Sequence, residues 1–261
     1  MEQADSENRL EPDPPEIASG ASLRPTSWKA LYADALTSMS PGVLLGLLCG
    51  ALIGGVGGRL AMLLLRLTSS DTLHGLETDD EFTIGSITGA TLFLVAITAF
   101  LGLLGGLVYM GVREWLPDRW RPILFGALGG TVGGTAFIRP GGIDFTDLEP
   151  LSLAVALFVL LPATYAATLS VLTERLERST SFRQSKWRWA GVILLPLPIL
   201  ATGPFGLGVV LIFALAVALN RSGQLSRFWR STPLVWVGRL AYTAALVASG
   251  FLLARDVSLV L

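Results

Sequence analysis

Apolar residues in this chain come in long unbroken blocks, and polar residues in short clusters between them. Blocks of roughly 20 residues at 1.5 Å rise match the hydrocarbon core of a bilayer. In lipid a backbone must satisfy its own polar groups, so blocks of this length mean helices. The strands of about ten alternating residues that build a membrane β-barrel are not visible. The pattern predicts an all-α fold, a polytopic transmembrane helical bundle. Span one covers 41–66, span two 83–112, span three 122–138, span four 151–172, and a last span 235–253. The block 189–219 holds Pro196, Pro198 and the break GPFG at 203–206. It is too long for one helix, and two short spans turning at Gly203–Pro204 bring the total to seven. A re-entrant hairpin is the alternative there.

Charge orients these spans. Lys29, then Arg113, Arg119 and Arg121, then Arg175, Arg178, Arg183, Lys186 and Arg188, then Arg221, Arg227 and Arg230 all fall on one side of a seven-span chain. The opposite loops are acidic, with Asp71, Glu77, Asp79, Asp80 and Glu81 in one and Asp144, Asp147 and Glu149 in the other. Positive loops stay inside, so the N-terminus is cytoplasmic, the C-terminus is outside, and a bacterial inner membrane is the expected location. All seven tryptophans lie near the proposed inner ends, as in an interfacial aromatic belt. Residues 1–27 are acidic and Pro-rich, a composition that builds no core. Residues 28–40 suit an interfacial helix. The expected layout is then a tail at 1–27, that helix, a four-span unit at 41–175, a basic cytoplasmic loop at 176–188 and a three-span unit at 189–261.

One stretch repeats. GALIGGVGGRLAM at 50–62 aligns without gaps to GALGGTVGGTAFI at 126–138, with seven of thirteen positions identical. Each copy is followed by an acidic loop and then by a similar apolar core, TLFLVAITAF at 91–100 and ALFVLLPATY at 156–165. This reads as a tandem repeat of two-helix hairpins, parallel because both enter from the same side. Gly46, Gly50, Gly54 and Gly58 recur every four residues, as do Gly126, Gly130 and Gly134. Residues four apart share a helix face. Small residues along such a face let two backbones approach, which is a main source of helix adhesion in lipid. The expected use is packing, with spans one and three crossing through their glycine faces; a narrow path or ligand space along those faces is the functional alternative.

Candidate chemistry is sparse. Arg59 lies about one turn inside the outer boundary and shares a helix face with Arg66. It can snorkel to headgroups, pair with a loop carboxylate or contact an anion. Its repeat counterpart is Thr135, so this charge belongs to one copy only. In TDDEF at 78–82, Thr78 and Glu81 fit a capping box, and Asp79 and Asp80 favour the positive helix end. Asp71, His74 and Glu77 sit three apart, a carboxylate cluster of the kind hard cations accept, but the spacing fits no EF-hand, and no metal is assigned. Arg239 is a further charge near the inner end of the last span, suited to snorkelling or to lipid phosphate. Binding candidates are therefore Arg59, Arg66, Asp79, Asp80, Glu81 and Arg239. The lone His74 leaves no partner for bis-His haem, and no Walker A, HExxH, CxxC or GxSxG motif is present. No catalytic residue and no cofactor is expected. Cys49 is the single cysteine, so no intrachain disulfide forms, and a net charge of −1 offers no basic patch for nucleic acid.

Residues 55–66, GVGGRLAMLLLR, followed by a helix opening at 83–94, resemble the Gly-rich first helix of the fluoride-channel family. That family carries an asparagine in its second span, whereas the only asparagines here are Asn8 and Asn220. The pattern GRLAM…TDDEFTIGSITGATLFL is more similar to a family of polytopic membrane proteins of high-GC bacteria. That resemblance covers about 45–175 and implies a membrane-embedded helical fold without an attached activity. Two functions suit these residues. One is a conduit for a small solute or ion, motivated by short, Gly-rich, Pro-broken spans. The other is a non-catalytic membrane subunit or assembly scaffold. The expected partners are the lipid bilayer and either a second copy or another membrane protein.

Overall fold

The computed structural model describes residues 28–68, 89–139, 150–197 and 231–261, and among these every regular element is helical. Helix α1 runs Trp28–Cys49, continues through a π-helical turn at Gly50–Val56, and becomes α2 at Gly57–Thr68. Helix α3 covers Gly89–Val112 and ends in a 3₁₀ turn, Arg113–Trp115. Helix α4 is Arg121–Phe137 and α5 is Leu151–Arg178. Two short helices follow, α6 at Thr180–Gln184 and α7 at Trp187–Leu194, and α8 closes the chain at Thr232–Val260. Among the described residues, four stretches are long and apolar enough to cross a membrane: Ala33–Leu65, Thr91–Trp115, Leu151–Arg178 and Thr232–Val260. The 17 residues of α4 reach about 25 Å, slightly less than a bilayer core.

Local sequence explains the boundaries. Pro122 and Pro233 sit in the first turn of α4 and α8, where a missing N–H is harmless. Pro41 lies inside α1 and has no N–H for the Thr37 carbonyl, yet the helix carries on. Residues 28–40 are thus helically continuous with span one. Span four also runs past 172, so the 176–188 loop is largely helical. The block expected to form two spans is described only to residue 197, and the rest of it lies outside the described residues, as do the 1–27 tail and both acidic loops apart from their edges.

The helices pair in chain order. The α1–π segment lies against α3, and α4 lies against α5. At the first interface the contact is backbone on backbone. A methyl at Gly102 would meet the Cα of Gly50 at 2.6 Å, and a methyl at Gly106 would strike the Gly42 carbonyl. At the second, a methyl at Gly126 or Gly130 would meet the methyl of Ala167 or Ala163 at 3.1 or 3.0 Å, and one at Gly133 would strike the Pro162 ring. The glycine faces therefore meet the next helix in sequence. The expected crossing of spans one and three is not formed, because α3 supplies its own small-residue face, Gly102 and Gly106, to receive span one.

The period also breaks. Gly46 and Gly50 pack tightly on α3, and a methyl at Gly54 would meet the Thr98 side chain at 3.0 Å, but among the described residues a methyl at Gly58 would meet nothing within 4 Å beyond its own helix backbone. A π-helical turn widens to i→i+5 bonds and inserts about one residue. It moves the buried position to Gly55, which faces the Val95 Cα at 3.0 Å, and rotates Gly58 off the stripe.

Helix α8 docks on α4 through polar contacts within the spans. Ser249 Oγ donates to Thr131 Oγ1 at 2.8 Å, Thr135 Oγ1 donates to the Ser249 carbonyl at 3.2 Å, and Tyr242 Oη donates to the Leu124 carbonyl at 2.5 Å. Thr135, the counterpart of Arg59, is thus a helix-docking residue.

Candidate functional site

Charged and polar side chains gather at one end of the bundle, where α3 stops, α4 starts and α5 finishes. Tyr109, fully buried on α3, donates its hydroxyl to Glu174 Oε1 on α5 at 2.9 Å and accepts from Ser170 Oγ at 2.9 Å. Arg121, in the first turn of α4, donates Nη1 to the same carboxylate oxygen at 3.1 Å, Nε to the Arg113 carbonyl at 3.0 Å, and pairs with Asp118 at 2.6 Å. Arg113 forms an ion pair with Glu177 and lies 3.8 Å from both Glu174 and Glu114. The side chains of Arg113, Arg121 and Glu174 are 16%, 12% and 18% exposed, so their charges are largely withdrawn from water. Such groups are tolerable because each meets an opposite charge and directed donors. The carboxylates come from helical spacing: Glu174 and Glu177, three apart, share the inward face, while Arg175 and Arg178 are exposed.

Beside this network lies a recess of about 280 Å³ between the first turns of α1 and the α6–α7 segment. Asp34, Thr37, Ser38 and Pro41 line one wall, and Glu177, Phe182 and Arg188 the other. The break in hydrogen bonding at Pro41 places a loosened turn here. Thr37 Oγ1 donates to the Ala33 carbonyl at 2.6 Å and accepts from Arg188 Nη2 at 2.5 Å. Gly191 lets α7 press on Ser40, whose buried hydroxyl has no hydrogen-bond partner among the described residues. The recess combines two carboxylates, a guanidinium and hydroxyls. It can accept a small polar or charged group by hydrogen bonds.

The candidates read from sequence fall elsewhere. Arg59 sits in the first turn of α2, half-buried, 22 residues of continuous helix from Thr37 and hence about 33 Å along the axis. Arg66 is in the last turn of α2. Asp79, Asp80 and Glu81, with Asp71, His74 and Glu77, lie outside the described residues. Arg239 is at the polar end, but it donates Nε to the Trp115 carbonyl at 3.0 Å and stacks its guanidinium 5.5 Å from the Trp236 ring centre. It therefore fastens α8 to the end of α3, a role the lipid-facing expectation did not include. Sequence reasoning missed Glu174 and Glu177 by ending span four at residue 172. The signal was two carboxylates three apart in TERLER, where the arginines alone were counted.

The tryptophans do mark this end. Trp120, Trp187, Trp189 and Trp236 are 51%, 71%, 48% and 58% exposed around the same polar cluster. An amphipathic ring at a membrane–water boundary has this placement. The chain matches no protein-family model, no curated protein and no solved structure.

Proposed function

We propose that this protein is a non-catalytic integral membrane subunit, a closely packed helical scaffold clamped at one end by ion pairs. The observation that carries the reading is the backbone contact of Gly46 and Gly50 with Gly102, which fills the space a path between these spans would need. We read 41–112 and 121–175 as two copies of one hairpin in a seven-span, N-terminus-inside chain. The in-order pairing of α1 with α3 and of α4 with α5 supports that reading. The charged residues of the polar end hold one another rather than facing a continuous interior route. Extended apolar surface on α8, such as Leu240, Val247 and Phe251, suits lipid or another membrane protein.

A conduit is the second reading, favoured by the recess between Asp34 and Arg188. Flux measured in liposomes separates the two. The scaffold reading expects solute and ion leak no greater than in empty vesicles, with extraction in mild detergent giving a particle larger than one 27.7 kDa chain. Selective flux that falls in Arg188→Gln, from a particle of one chain, overturns it.

A further inference from the structure

A second cavity opens next to the polar recess, and its chemistry differs. It measures about 470 Å³ and lies between α1 and the α5–α7 turn, walled by Leu44, Leu48, Leu176, Phe182 and Trp187. Phe182 lines both cavities, so an apolar slot and a polar recess share one wall. Leu48 is 51% exposed and Trp187 71%, which leaves the slot open on its outer side. The slot belongs to a stretch long and apolar enough to span a bilayer, Ala33–Leu65, and its far end reaches the tryptophan-marked boundary. Its polar lining is Ser181 and Ser185, and Lys186 stands exposed between Ser185 and Trp187. Arg175 and Arg178 are exposed on the last turns of α5, flanking Leu176. The carboxylates nearby are Glu177, which is paired with Arg113, and Asp34 in the adjoining recess. An apolar slot ending at hydroxyls and exposed cations is complementary to one molecule in a bilayer, a phospholipid with an anionic headgroup.

We infer that the Leu44–Trp187 slot holds one acyl chain of an anionic phospholipid, with its phosphate at the rim formed by Ser181, Ser185 and Lys186. The acyl chain lies against the leucines of α1. The headgroup charge is answered by Lys186 and by the neighbouring Arg178. Basic pockets beside membrane helices recognise anionic headgroups in this manner. The site rests on the chain spanning a bilayer and does not depend on whether it is scaffold or conduit.

The test uses the full chain, delipidated in detergent and titrated with phosphatidylglycerol or with phosphatidylcholine of identical acyl chains, with bound lipid counted by native mass spectrometry. Phosphatidylglycerol should be retained more tightly, by about fivefold for each basic residue engaged. Lys186→Gln should remove about that factor for phosphatidylglycerol and leave phosphatidylcholine unchanged. Leu48→Trp, which fills the slot, should weaken both lipids. Lys186 is exposed, so its variant keeps the fold, and an unaltered unfolding midpoint without lipid verifies this. Equal retention of the two lipids overturns the proposal. So does a preference for phosphatidylglycerol that survives both Lys186→Gln and Arg178→Gln.

Discussion

The two glycine-rich helices look alike in sequence and pack differently. In the α1–α3 interface glycine meets glycine, and Gly50 and Gly102 leave less room than one methyl group. In the α4–α5 interface glycine meets alanine and proline side chains: a methyl would be tight at Gly126 and Gly130, at 3.1 and 3.0 Å, and would clash at Gly129 and Gly133, at 2.5 Å. The first is an interface between two bare backbones, and the second is a ridge of methyls set in a groove. The same small-residue period thus encodes two tolerances. In lipid, where apolar burial drives little association, this difference in fit decides how each hairpin responds to added volume.

The largest effect should come from the bare interface. Gly102→Leu places a branched side chain where the nearest neighbours are the Gly46 carbonyl and the Gly50 backbone, which have no rotamer through which to yield. Overpacking costs about 1–3 kcal/mol where side chains adjust, and more where they do not. Loss of folded protein by size-exclusion after extraction is the expected result. A variant that extracts and unfolds like the parent would mean that the two helices separate freely.

Next is the seam between the hairpins, which neither glycine face provides. Glu174 on α5 receives Tyr109 from α3 and Arg121 from α4, so it ties one hairpin to the other. Glu174→Gln keeps the shape and removes the charge facing two arginines. Breaking one partner of a buried pair costs about 3–5 kcal/mol. Partial exposure at this end lowers the expectation to about 2–3 kcal/mol, read from denaturant titration in mixed micelles. High salt should change that loss little, since screening acts weakly on withdrawn charges. A loss below about 0.5 kcal/mol would mark the network as surface-like.

The third measurement contrasts the interfaces at the level of one methyl. Gly130→Ala meets the Ala163 Cβ at 3.0 Å and the Val159 carbonyl at 3.3 Å, so the helices need to part by only a few tenths of an ångström. It should cost less than about 1 kcal/mol, because alanine recovers helix propensity. Gly102→Ala should cost clearly more, since its neighbour is backbone. Equal losses for the pair would erase the distinction between the interfaces.

Much of this architecture is visible in the chain. The expected 122–138 and the observed Arg121–Phe137 agree within a residue, because Pro122 starts the helix and the apolar run fixes its length. The helical class, and the four helices among the described residues that are long and apolar enough to cross a membrane, follow from apolar blocks alone. What periodicity does not carry is the partner. A repeat of four places Gly46 and Gly50 on one face but is silent on which helix that face meets, and α3 took the place expected for span three. The polar site was hidden for a related reason. Tyr109, Ser170, Glu174 and Arg121 are spread over 66 residues, and only the return of α5 antiparallel to α4, which lays it parallel beside α3, brings them within 3.1 Å. Arg59 stood out in sequence because it is charged among glycines, which is a local contrast, whereas the network depends on distant register.

Gly58 gives the smallest effect and the sharpest control. By the four-residue period it belongs to the same stripe as Gly50, and a purely periodic view assigns Gly58→Ala the same penalty. The π-helical turn at Gly50–Val56 shifts the stripe before Gly58 is reached, and among the described residues the added methyl meets no other helix within 4 Å. Alanine there should be neutral, or stabilising by up to about 1 kcal/mol through helix propensity, a scale set in water and smaller where lipid already favours the helix. The measurement is the same mixed-micelle unfolding used for Glu174→Gln. A loss as large as that of Gly102→Ala would mean that the stripe runs straight through the π turn. A neutral result beside a large Gly102→Ala loss would locate the end of the bare interface between Gly55 and Gly58, set by one extra residue in the helix rather than by where the glycines stop.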